Sequence, residues 1–65
     1  MAELRLKELR KEKNLSQEDV AKKIGVNHRT ISNYETGYSE PDIKTIEKLC
    51  KMFDVTAGYL LGIEN

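Results

Sequence analysis

A chain of 65 residues holds one small domain (residues 1–65) with a small core, which leaves little room for an enclosed active site and makes a binding surface the better expectation. Eleven basic and eleven acidic side chains cancel to a formal charge of zero, so the overall basic excess of many nucleic-acid binders is absent. The local field matters more, and Arg5, Lys7, Arg10, Lys11 and Lys13 outnumber Glu3, Glu8 and Glu12 near the start, while Glu40, Asp42, Glu47 and Glu64 offset them elsewhere; this split predicts one basic face.

Five short helices follow in chain order. Leu6 and Leu9, edged by Leu4 and surrounded by charges, predict an amphipathic helix over about residues 3–13, broken by Asn14 and Leu15. Ser16 starts the second helix, with Asp19 completing a variant capping box, and Val20, Ala21 and Ile24 form its buried stripe. Gly25 ends it, as a left-handed residue does. Asn27 caps a third helix that runs to Glu35 or Thr36 and closes at Gly37. Past Pro41, a fourth helix runs from near Asp42 to near Phe53, with Ile43, Ile46, Leu49, Cys50 and Phe53 as its apolar stripe. Thr56 caps a last helix holding Tyr59, Leu60 and Leu61, which Gly62 ends. No period-2 apolar run predicts a strand. The fold class is therefore all-α, a compact bundle of five short helices.

The join between the second and third helices is the informative feature. Gly25-Val26-Asn27 is too short for a long antiparallel hairpin, and a tight glycine turn between two short amphipathic helices is the mark of a helix-turn-helix, over about residues 16–36. At about 100° per residue, with His28 at zero, Ser32 falls near 40°, Thr36 near 80°, Arg29 near 100° and Asn33 near 140°. Ile31 and Tyr34 fall on the far side, with Thr30 beside them. The polar arc carries groups suited to base edges: Arg donates twice to guanine, Asn pairs with adenine, and Ser serves either. Any exposed helix face is polar, so the arc gains meaning only from the turn and the capped helix before it.

Other chemistry is poorly supported. Cys50 has no second cysteine to pair with and reads as a small buried hydrophobe. There is no glycine-rich phosphate loop, no nucleophile beside a base and no metal-ligand spacing, so neither an enzyme nor a cofactor or metal is expected. The charged N-terminal stretch lacks the apolar run of a signal peptide, and no segment approaches membrane-spanning length; a cytoplasmic location is the expectation.

Leu-Ser-Gln-Glu-Asp-Val-Ala at 15–21, Ile-Gly-Val at 24–26, Thr-Ile-Ser-Asn-Tyr-Glu-Thr-Gly at 30–37, Pro41, Phe-Asp-Val-Thr at 53–56 and Tyr-Leu-Leu-Gly at 59–62 form an ordered set. From Arg5 to Gly62 this set resembles the helix-turn-helix domains of the phage repressor and Cro family, also called the xenobiotic-response-element class. The resemblance implies a lambda-repressor-like fold and sequence-specific binding of double-stranded DNA, with helix three in the major groove. It implies base reading by His28, Arg29, Ser32 and Asn33, with Arg29 and Asn33 foremost. It implies phosphate contact by Gln17 and makes Asn27, Thr30, Tyr38 and Lys44 candidates for the same role; the Tyr38 hydroxyl either reaches a phosphate or packs against its loop. Arg10 and Glu35 match a structural ion pair between the first and third helices, with Arg10 reaching a phosphate as well. The implied partner is a near-palindromic operator bound by a homodimer, with repression as the outcome. Tyr59, Leu60 and Ile63 are the candidate dimer patch, although Leu60 fits the core better. The competing reading is a protein-interaction module of the same fold, such as an antitoxin or a docking partner.

Overall fold

The computed structural model describes residues 4–63. Five helices follow one another: α1 (Leu6–Glu12), α2 (Gln17–Ile24), α3 (His28–Thr36), α4 (Ile43–Phe53) and α5 (Ala57–Leu60). Among the described residues there is no strand, and no helix is long and apolar enough to cross a membrane.

Four of the five helices start where a side chain takes up an orphan backbone donor. The Ser16 hydroxyl accepts from the Asp19 N–H at 3.0 Å while the Asp19 carboxylate accepts from the Ser16 N–H at 2.9 Å, a reciprocal capping box. Asn27, Asp42 and Thr56 cap α3, α4 and α5 through their side-chain oxygens. The exception is α1, which begins at Leu6 rather than at the predicted residue 3; Glu3 lies outside the described residues. Arg5 precedes it without a side-chain cap. Instead the Arg5 N–H donates to the Leu60 carbonyl at 2.8 Å and its guanidinium lies 4.3 Å from the Tyr59 ring centroid. The start of the first helix is thus set by the last one. At the other ends, Asn14 (φ 57°) and Asp54 (φ 55°) turn the chain left-handed, a conformation that Asn and Asp tolerate better than other side chains with a Cβ.

Each helix contributes to one core. Leu6, Leu9, Val20, Ala21, Ile24, Ile31, Leu49, Phe53 and Leu60 are buried. Fully burying a large aliphatic side chain contributes about 1.5–3 kcal/mol. Two positions of the expected α4 stripe differ. Ile43, the first residue of the helix, is 75% exposed. Cys50 is half-buried at the core edge, where burial and then the Glu47 charge push its thiol pKa up. Leu15, expected only to break a helix, packs against the core instead. Of the proposed dimer patch, Leu60 is fully buried and Tyr59 half-buried beneath Arg5, which leaves Ile63 as its exposed member. Leu61 falls just past α5 as its C-terminal cap.

The packing that positions the functional surface is α2 against α3, the most extensive helix pair. Lys48 of α4 adds a brace: its ammonium donates to the Ile24 carbonyl at 3.4 Å, at the C-terminal end of α2 where cations are favoured.

Candidate nucleic-acid interface

The turn between α2 and α3 is built by backbone geometry. Gly25 takes φ 77° and ψ 35°, and both its N–H and that of Val26 donate to the Ala21 carbonyl, at 2.8 and 2.9 Å. The Val26 bond is the 6→1 bond of a Schellman motif and the Gly25 bond the 5→1 bond of an αL cap, and a side chain at Gly25 would strain this left-handed turn. Val26 packs on the core. The Asn27 Oδ1 accepts from the Arg29 N–H at 2.8 Å and so starts α3 three residues after α2 has ended.

Ile31 is fully enclosed and Tyr34 packs beside the core, which turns the opposite edge of α3 outward. His28, Arg29 and Thr36 are exposed, and Ser32 and Asn33 are half-buried. Among the described residues, the side chains of His28, Arg29, Ser32 and Asn33 make no hydrogen bond or ion pair within the chain. The result is a row of donors and acceptors with no internal competitor, on a helix whose back is clamped. No group of histidine, cysteine and acidic side chains among the described residues is placed to hold a metal.

Behind this edge, α1, α2 and α3 meet in a polar cluster. Arg10 Nε donates to Glu35 Oε2 at 2.7 Å and Arg10 Nη2 to Glu35 Oε1 at 3.1 Å. Arg10 Nη1 donates to the Leu15 carbonyl at 2.9 Å, and Gln17 Nε2 donates to Glu35 Oε1 at 3.1 Å. The Arg10 and Glu35 side chains are only 12% and 4% exposed. Burial by itself would push the Glu35 carboxyl pKa up; the bonds from Arg10 and Gln17, with the charges of Arg10 and Lys7, outweigh it and hold the group below its ordinary value. The same bond drives the Arg10 pKa further up. The geometry qualifies two sequence expectations. Three of the five N–H donors of Arg10 point inward, so its reach toward a phosphate is limited to the remaining two. The Gln17 amide, expected at a phosphate, also has a partner inside the fold, since one of its N–H groups is tied to α3. Nothing in the spacing of residues 17 and 35 announces that contact.

The other phosphate candidates surround the edge. Asn27 is exposed, but its oxygen is committed to the cap, which leaves its NH₂ group. Thr30 is half-buried and Lys44 exposed on the first turn of α4. Tyr38 is 84% exposed, which removes the alternative in which it packs against its loop. On the flank, Leu4, Tyr34, Pro41, Ile46, Leu61 and Ile63 line an apolar groove.

Comparison with known proteins agrees with this arrangement. The helix-turn-helix family profile matches residues 6–60. The helix-turn-helix-type transcriptional regulator ImmR of Bacillus subtilis (strain 168) is 40% identical over 58 residues, covering 89% of this chain and 46% of ImmR. The cryptic phage CTXphi transcriptional repressor RstR of Vibrio cholerae is 40% identical over 58 residues, covering 89% of this chain and 52% of RstR. The chain thus spans about half the length of these relatives. Among solved structures, the P22 c2 repressor in complex with a synthetic operator superposes with a TM-score of 0.85 at 28% identity, over 92% of this chain and 91% of that one.

Proposed function

The chain belongs to the helix-turn-helix family, and on that premise we propose that it regulates transcription by binding a specific double-stranded DNA operator, with α3 in the major groove. The observation that carries this reading is the geometry of α3: Ile31 is sealed in the core while His28 and Arg29 stand exposed and uncommitted at the helix N-terminal turn. That is the end of a recognition helix that meets base edges. Arg29 and Asn33 supply the most discriminating contacts, His28 and Ser32 the rest, and Gln17, Asn27, Thr30, Tyr38 and Lys44 contact the phosphates. Two copies on a near-palindrome, about 34–36 Å or a multiple of it between half-site centres, place their α3 helices in successive grooves. Occupancy of such a site in the cytoplasm represses the adjacent promoter. The domain acts by binding and not by catalysis.

Selection from random duplexes tests this. The expected product is a pair of inverted half-sites whose affinity falls steeply with salt. Arg29→Ala should relax preference at one base position by about 1–3 kcal/mol, whereas Lys44→Ala should weaken all sequences alike. Failure to enrich any duplex, with no salt-dependent binding, would refute the proposal and favour a protein partner in the groove beside Tyr34.

A further inference from the structure

We propose that Glu35 is a positioning residue for DNA binding: from inside the fold, it holds the Gln17 amide in the orientation that meets the duplex. The inference rests on the DNA-binding reading above and adds a role for a residue that cannot itself attract a phosphate.

Glu35 Oε2 accepts from Arg10 Nε at 2.7 Å, and Glu35 Oε1 accepts from both Arg10 Nη2 and Gln17 Nε2 at 3.1 Å. An ionised carboxylate has no proton to donate, so the Gln17 amide can meet it only NH₂ first. That choice sets the whole group. One N–H goes to Glu35, and the second N–H and the carbonyl oxygen remain for a partner outside. A glutamine without this tether would sample several rotamers and present either end of its amide. Arg10 completes the device by tying Glu35 to the Leu15 carbonyl at 2.9 Å, so that the anchor cannot swing with Gln17. Gln17 is the first residue of α2 and half-buried, so little of its side chain is free to wander once the amide is held.

Freezing one long side chain on binding costs an affinity factor of about two to twelve, and Glu35 meets that cost before DNA arrives. Plain electrostatics predicts the opposite sign: removing a negative charge near the DNA face should tighten binding. The two effects are separable.

The experiment is a double-substitution cycle on the intact chain, with E35Q, Q17A and the pair. Affinity for the selected operator is measured at one salt concentration, at a temperature where circular dichroism shows each variant folded. In E35Q the Gln17 tether weakens, because a carboxamide accepts through one oxygen and Arg10 competes for it. E35Q is expected to weaken binding about two- to twelve-fold with Gln17 present, and not at all in the Q17A background. Equal weakening in both backgrounds would reduce Glu35 to a packing role and overturn the proposal; so would unchanged or tighter binding with Gln17 present. Should E35Q fail to fold, E35D keeps the charge and shortens the reach by one methylene. A DNA-free readout runs in parallel. The Gln17 side-chain amide protons should be displaced from the free-glutamine position by NMR and should move toward it in the Glu35 variant; no movement overturns the tether. If the unsubstituted chain binds no duplex, the DNA-binding reading fails, and the amide signals alone decide whether the tether exists.

Discussion

Glu35→Ala isolates the cluster that joins the first three helices. It removes two of the three hydrogen bonds of Arg10 and leaves that guanidinium, 12% exposed, with the Leu15 carbonyl at 2.9 Å. Breaking a buried pair from one side costs about 3–5 kcal/mol, mostly because the surviving charge is stranded. Arg10 keeps one carbonyl partner and some solvent, which places the cost near the lower end, about 3 kcal/mol. A domain of this length has roughly 3–10 kcal/mol in total, so the substitution removes about a third or more of it. With a urea m-value of about 1 kcal/mol/M, the unfolding midpoint should fall by about 3 M. Lys11→Ala, at an exposed position of α1, should stay within about 0.5 kcal/mol of the parent. Removing Arg10 as well should recover part of the loss, since no orphan charge then remains. Urea midpoints for Glu35→Ala and Lys11→Ala that agree within about 0.5 M would refute the reasoning.

Three further outcomes are expected. The pKa of Glu35 is lowered in the folded state, so its contribution to stability is complete above the unfolded carboxylate value of about 4.3 and is lost as pH falls through the folded value; Asp19 and Asp42, lowered by their cap bonds, act in the same direction. Urea midpoints should therefore drop between pH 7 and pH 3, less so in Glu35→Gln, and a rise on acidification would contradict the assignment. Gly25→Ala meets no atom within 4 Å, so its cost comes from φ 77° alone, about 1–2 kcal/mol by urea unfolding; a neutral result would mean that the turn is not left-handed. Leu49→Ala should cost about 2–5 kcal/mol and Ile43→Ala less than about 0.5, although both occupy the apolar stripe of α4; equal losses would show that Ile43 is buried after all.

How much of this was legible in the chain depends on whether the signal was local. Capping is a property of neighbours, so Ser16, Asn27, Asp42 and Thr56 could be read directly, and so could the glycines that end α2 and α3. Helical periodicity separated Ile31 from His28 and Arg29, because burial on one side of a short helix is a matter of angle. The resemblance to repressor domains then drew attention to Arg10 and Glu35, a pair that spacing by itself does not select. Periodicity failed at Ile43, where the angle was right but the helix had only begun and no neighbour covered it.

What tertiary structure alone decided were the contacts between groups far apart in the chain. Gln17 meets Glu35 because α2 packs across α3, Lys48 reaches the Ile24 carbonyl because α4 closes over α2, and Arg5 covers Tyr59 because the start of α1 lies against α5. Each is a polar or cationic side chain whose partner lies at no helical repeat from it. The sequence therefore determined the order, limits and outward faces of most helices, since these follow from local hydrogen bonding and the pitch of the helix. The partners of Gln17, Lys48 and Arg5 waited on the packing, because only the assembled core brings their atoms within bonding distance.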